Sequence, residues 1–171
     1  MRTLTAAQCV LEPLVAAHAR EMFAVLSDPA IYEFENEPPP SEAWLAERYT
    51  GLERRTSADG RQAWLNWVVR LPSGELAGHV QATVFSSTSA LIAYELASRH
   101  WRQGLGGCAV SLMLEELQSG YGVRLFVAVL KMANYRSLAL LRRLGFQEGS
   151  EPQRTEFGAG VDELVMVKPA A

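Results

Sequence analysis

His100-Trp101-Arg102-Gln103-Gly104-Leu105-Gly106-Gly107 is the stretch on which the reading of this chain turns. Three glycines fall among its last four residues, and an apolar helical spacing begins at Cys108 and continues through Ala109, Leu112, Met113, Glu116 and Leu117. Glycines where a helix begins remove side chains, so the free backbone N–H groups of the first turn can approach a ligand closely. The helix dipole adds roughly half a positive charge there, and an anion gains on the order of 0.3–1 kcal/mol from it. Arg102 adds a full charge. Upstream, Leu91 to Leu96 reads as a strand, so the order is strand, loop, helix, as an anion site needs.

Two other phosphate motifs do not fit. No Lys follows the glycines, which excludes the G-x-x-x-x-G-K-S/T loop of nucleoside triphosphatases. The dinucleotide fingerprint G-x-G-x-x-A is formally met by Gly104, Gly106 and Ala109, but it requires an acidic residue about 20 positions on, at the end of the next strand. That strand, Leu125 to Val129, runs into Leu130 and Lys131.

Working outward, Thr3 to Leu11 reads as a first strand and Val15 to Leu26 as a helix stopped by Ser27-Asp28-Pro29. Tyr32 to Pro40 holds two aromatics, three carboxylates and three prolines, a composition for a shaped loop. Ser41 is placed to cap a helix carrying Trp44, Leu45, Tyr49 and Leu52. From Ala63 to Leu71, Trp64, Asn66, Val68 and Arg70 alternate with Leu65, Trp67, Val69 and Leu71, and Leu76 to Phe85 is the antiparallel partner beyond a Pro72-Ser73-Gly74 turn. The chain then finishes strand, helix, strand, helix, strand. That pattern predicts one α/β domain (α+β) over residues 1–171, without repeats or linkers.

Composition narrows the function. The chain has 171 residues, enough for one substantial core, and a formal net charge of −3 with no long basic run, which disfavours nucleic acid as a partner. No apolar run approaches the roughly 18–20 residues that span a bilayer, so no membrane association is expected. The opening MRTLTAAQCV has no continuous apolar stretch, and Cys9 and Cys108 form no framework, so the expectation is a cytoplasmic protein without a secretion signal. His18, His79 and His100 show no ligand spacing, and no metal is expected. Cys108 has no His at a spacing that would activate it, which favours core filling over a covalent role.

The second informative segment is Ala133 to Phe146. Asn134 stands at a helix start, Ser137 three residues later, Leu138, Leu141 and Leu144 line one face, and Gly145 ends the helix. Each has a structural explanation taken alone. Together with the glycine loop, the chain resembles the GNAT superfamily of acyl-CoA-dependent N-acyltransferases, in particular the ribosomal-protein N-terminal acetyltransferase branch. The family loop runs Arg or Gln, two residues, Gly, one residue, Gly or Ala, and in this branch it often begins with Trp. Trp101 to Gly106 matches that form. The branch's N-x-x-S motif before an apolar helix ending in L-G-F is matched by Asn134, Ser137 and Leu144-Gly145-Phe146, about thirty residues on.

The resemblance implies a mixed, mostly antiparallel sheet with a splayed strand pair, flanked by helices, and acetyl-CoA as co-substrate without a metal. Its pyrophosphate would lie on Arg102, Gln103, Gly104, Leu105, Gly106 and Gly107, with Asn134 and Ser137 beside the pantetheine arm. The arm would run along a bulged strand ending at Leu96 and Ala97, one of which would offer an N–H to the thioester oxygen. Many members carry a proton-donating Tyr seven residues after the Asn. Here that position is Leu141, which leaves Ser137 as the candidate acid, ahead of Tyr135.

Amide formation also needs a neutral amine, and Glu95, sharing a strand face with Ala93 and Ala97, is the candidate base. For the acceptor, a small-molecule amine or a protein N-terminus, Glu33 and Glu35 are candidate attractors of charge and Trp44 and Trp67 candidate walls. A solvated acidic loop explains the carboxylates equally well. A non-catalytic acyl-CoA sensor remains the alternative function, and the sequence leaves monomer and homodimer open.

Overall fold

The computed structural model describes residues 1–85 and 88–170. Eight strands, β1 (Leu4–Thr5), β2 (Val10–Pro13), β3 (Gln62–Arg70), β4 (Leu76–Phe85), β5 (Ser89–Leu96), β6 (Leu125–Lys131), β7 (Gln147–Glu148) and β8 (Glu163–Pro169), form one sheet in the order β1-β2-β3-β4-β5-β6-β8-β7. All neighbours are antiparallel except β5 and β6. Five helices accompany them: α1 (Ala19–Leu26), α2 (Glu42–Leu52), α3 (Leu105–Tyr121), α4 (Tyr135–Arg143) and α5 (Glu151–Glu156).

Alternation along the strands sorts residues into two cores. Trp67 and Val69 of β3, Val80 of β4 and Ile92 of β5 pack with Val110, Met113 and Leu117 of α3 and Leu141 of α4. Val68 and Leu76 pack on the other side with Met22 and Val25 of α1 and Leu45 and Tyr49 of α2. Both faces of the sheet are therefore covered, and residues 65–69 are buried without exception.

The expected first strand is a hairpin instead. Leu4 pairs with Leu11 and the chain turns between them, so Thr3 to Leu11 holds the edge strand β1 and the start of β2, which lies between β1 and β3. Helix α3 begins at Leu105 rather than Cys108, because Gly104 in the left-handed conformation (φ +84°) starts it three residues earlier. Ser41 caps α2, its Oγ accepting from Trp44 N at 3.1 Å, and Asn134 Oδ1 caps α4 by accepting from Ser137 N at 3.1 Å.

The parting of β5 and β6 positions the site. Their parallel ladder pairs Ser89–Leu91 with Leu125–Val127 and ends there, while β5 continues to Leu96 and β6 to Lys131. The bulge expected in β5 is absent: its register with β4 is unbroken from Ala90 to Leu96. The irregularity lies one strand away, where β4 carries an extra residue opposite Val69 and Arg70.

Candidate active site

A groove of about 1080 Å³ enters where β5 and β6 part. At one end it meets the glycine loop. Trp101 Nε1 donates to the Leu96 carbonyl at 2.8 Å and Gln103 Nε2 to the Arg99 carbonyl at 2.8 Å, so the loop is lashed to the strand it leaves. Gln103 thus faces away from the groove, whereas Arg102, Gly104, Gly106 and Gly107 line it. Leu105 turns its side chain into the core. Cys108 N is the first to bond within the helix, to Gly104 O at 3.0 Å, and no side chain caps the turn before it. The N–H groups of Leu105, Gly106 and Gly107 are the unspent donors of that turn.

The glycines are not equivalent. Gly104 needs its left-handed backbone; a Cβ on Gly106 would stand 3.2 Å from Leu140 Cδ2 and 3.4 Å from Leu96 Cδ1; a Cβ on Gly107 would make only an ordinary 3.8 Å contact. Arg102 holds φ at +61° although it is no glycine, a sparsely populated conformation that the lashed loop imposes.

In the middle of the groove, backbone groups of β5 are available. Ala97 N donates to Ala77 O at 2.9 Å, which corrects the expectation that Ala97 offers a free N–H. Because antiparallel strands alternate their bonding, the N–H groups of Tyr94 and Leu96 turn the other way, toward the gap beside β6. Leu96 is therefore the candidate oxyanion donor. Ser137 lines the groove from α4, and the Tyr94 hydroxyl reaches its carbonyl at 3.4 Å. Burial, the leading cause, raises the Tyr94 phenol to about 12. Asn134 is more than a cap: its Nδ2 donates to Glu35 Oε1 at 3.2 Å, tying the proline-rich loop to α4.

Around Glu95 the groove is built from distant segments. Glu95 projects into the groove and accepts from Asn36 Nδ2 at 3.3 Å. His79 of β4 stands directly opposite it in the ladder, with Gln81 opposite Ala93. Gly78 makes this pairing possible, since a Cβ there would land on the Glu95 carbonyl oxygen. Arg136 of α4 lies 4.5 Å from the Trp101 ring centroid and 5.4 Å from that of Phe34, and pairs with Glu33 at 2.6 Å. One guanidinium thus clamps the acidic loop against the glycine loop.

Three of the acceptor residues expected from sequence stand elsewhere. Trp67 is 0% exposed, packed toward α3 with its Nε1 donating to Arg2 O at 3.1 Å, so it forms no wall of the groove. Trp44 is 44% exposed on the outer side of α2 beneath Arg48. Glu33 is spent on Arg136, while Glu35 lines the groove. Sequence reasoning missed Arg136, Phe34, Gly78 and His79. The one signal was Gly78, a glycine inside a strand, which marks close backbone approach.

A sheet split beside a glycine-started helix, with free first-turn N–H groups, a free strand edge and a carboxylate along one groove, suits a ligand that joins an anionic group to an extended arm. Residues 8–147 match the family described as acetyltransferase (GNAT) domain, and the chain belongs to that family and is an acyltransferase. No protein of curated function matches it in sequence. Similar solved structures include RimL, a ribosomal alpha-N-protein acetyltransferase in complex with coenzyme A (TM-score 0.81, 16% identity, covering 98% of this chain and 97% of that one). A spermidine N-acetyltransferase chimera from Vibrio cholerae and hSSAT follows it (TM-score 0.77, 20% identity, 95% and 96% covered). A ribosomal-protein-alanine acetyltransferase from Vibrio fischeri has a TM-score of 0.75 at 14% identity, with 98% and 96% covered.

Proposed function

We propose that this chain transfers an acetyl group from acetyl-CoA to a primary amine by direct attack within a ternary complex. The observation that carries the reading is the continuity of the groove: it joins the helix N-terminus at Gly104, the free edge of β5 and the Glu95 carboxylate. The residues suit this co-substrate. Arg102 and the first-turn N–H groups of α3 hold the pyrophosphate, and the strand edge at Tyr94 and Leu96 pairs with the amides of the arm.

Acetyl-CoA supplies an activated thioester; the remaining work falls to side chains and backbone. An ordinary primary ammonium loses its proton near pH 10, so the acceptor must be deprotonated at the site, and Glu95 assists directly or through water. Leu96 N–H stabilises the oxygen that gains charge, and Ser137 delivers a proton to the departing sulfur. The solved relatives named above act on protein N-termini and on spermidine, and both offer cationic primary amino groups of the kind that the carboxylates at Glu35 and Glu95 attract.

An acetyl-CoA-dependent thiol-release assay across an amine library tests class and acceptor together. The Glu95→Gln variant is expected to lose about a hundredfold in turnover, with acetyl-CoA affinity by calorimetry unchanged. Stoichiometric acetyl-CoA binding with no transfer to any amine would instead make the chain an acyl-CoA sensor.

A further inference from the structure

Among the described residues, two buried side-chain atoms find no hydrogen-bond partner, Tyr49 Oη and His79 Nδ1. They belong to one neighbourhood. Both feel the same two charges, the Glu95 carboxylate and the Arg48 guanidinium. His79 and Glu95 face each other across the β4–β5 ladder, which sets their Cβ atoms about 5 Å apart on one face of the sheet. On its other flank His79 pairs with Val68, which is apolar and fully buried.

His79 lines the groove, and Nδ1 is the ring nitrogen closed off from solvent, which leaves Nε2 as the nitrogen able to meet the groove. A neutral imidazole has one N–H and one basic nitrogen. In the Nδ1–H tautomer, which the proposal below requires, Nε2 carries the lone pair. Burial is the leading influence on this ring and lowers its pKa; Arg48 acts the same way and Glu95 opposes them. The other titratable groups around the carboxylate are the Tyr32 and Tyr49 phenols, both raised above their ordinary value by burial first and by Glu95 second. The ring is thus kept free to accept a proton, beside a carboxylate that stabilises it once it has done so.

We propose that His79 is a catalytic base paired with Glu95: Glu95 holds the incoming acceptor ammonium and His79 Nε2 takes its proton. This rests on the acetyltransferase reading above and assigns its proton transfer. One proton passes from the ammonium to Nε2, giving an imidazolium beside Glu95. The nitrogen lone pair so freed forms the C–N bond to the thioester carbon. The C–S bond breaks with its electron pair leaving on sulfur, and the second amine proton ends on that sulfur. The imidazolium returns the first proton to solvent, so amine cation and thioester yield amide, thiol and one proton.

Two measurements test this. Imidazole nitrogen NMR of the protein without acetyl-CoA, followed from about pH 5 to pH 9, is expected to show His79 as the Nδ1–H tautomer with a pKa below the ordinary value of about 6.5. In Glu95→Gln that pKa falls further, because the opposing carboxylate is gone. In kinetics, His79→Gln lowers turnover about 30-fold or more, leaves acetyl-CoA affinity intact, and moves the acidic limb of kcat/KM for the acceptor. The wild-type limb and the NMR titration coincide. A fully active His79→Gln with an unchanged limb overturns the proposal alone, as does an imidazole that is already charged at neutral pH or indifferent to Glu95→Gln. Failure of the wild type to acetylate any amine overturns this proposal and the acetyltransferase reading together.

Discussion

Between Arg102 and Gly107 the groove meets Arg102, Gly104, Gly106 and Gly107, all from one short stretch of chain, and the free groups there are mostly backbone N–H. At Glu95 it meets side chains from separate segments: Asn36 of the proline-rich loop and His79 and Gln81 of β4. The first end needs an absence of side chains and two left-handed backbone angles, at Arg102 and Gly104, within one short stretch. The second needs several side chains to arrive together, so it depends on the whole sheet and on the helices docked to it. Under the proposed function, the first kind of site holds the co-substrate and the second receives the acceptor.

The sharpest test of where the acceptor end stops is a pair of tryptophans. Trp67→Ala removes a fully buried ring and is expected to destabilise the protein by about 3–5 kcal/mol, whereas Trp44→Ala should stay within about 0.5 kcal/mol. Thermal or denaturant unfolding reads both. If Trp67→Ala kept its stability and raised only the acceptor KM, the groove would extend through the sheet and the division drawn here would break.

At the loop end, Gly104→Val places a β-branched side chain at φ +84° and beside the cradle. Acetyl-CoA affinity should fall at least tenfold, about 1.4 kcal/mol, with acceptor KM little changed. Equal loss at both ends would mean that they do not act separately. Between the ends, Ser137→Ala is expected to cost about tenfold in turnover and less in the Michaelis constant for acetyl-CoA, as a group acting on the leaving sulfur should. A pure binding defect would assign Ser137 to the loop end.

The smallest effect concerns acid. Burial, the leading cause in each, depresses the pKa of His18 and of His79. Below about pH 6.5 the unfolded chain therefore binds more protons than the folded one, so the stability present above that pH is lost as pH falls through the depressed folded values. The melting temperature should drop by about 2–4 °C between neutral pH and pH 5, before the lowered carboxylates Glu12 and Glu75 contribute at more acid pH. His79→Gln should shrink the drop; a flat profile would show that neither ring is buried neutral.

Much of the scaffold could be read in advance because it is written in short-range patterns. The alternation from Ala63 to Leu71 made a strand, Ser41 and Asn134 capped their helices, and Glu95 fell on one face with Ala93 and Ala97. The errors are as informative. Alternation tells which residues share a face but not what covers it, and because helices cover both faces of β3, Trp67 went to the core beneath α3 rather than to a substrate. Glu33 and Glu35 are two residues apart with the same chemistry, yet one is neutralised by Arg136 and the other lines the groove.

The sequence by itself determined the glycine-rich start of α3, since three glycines before an apolar helical spacing leave the first-turn N–H groups uncovered whatever packs elsewhere. It also determined the order of the main strands and helices, apart from the β1–β2 hairpin and the β7–α5 segment, and the family motifs carried by Trp101–Gly106 and Asn134–Ser137. Only the tertiary structure decided which N–H of β5 is free, which carboxylate is unpaired, and that His79 stands opposite Glu95 with a sealed nitrogen. Those outcomes depend on the register between strands and on burial, and both arise from contacts between residues far apart in the chain.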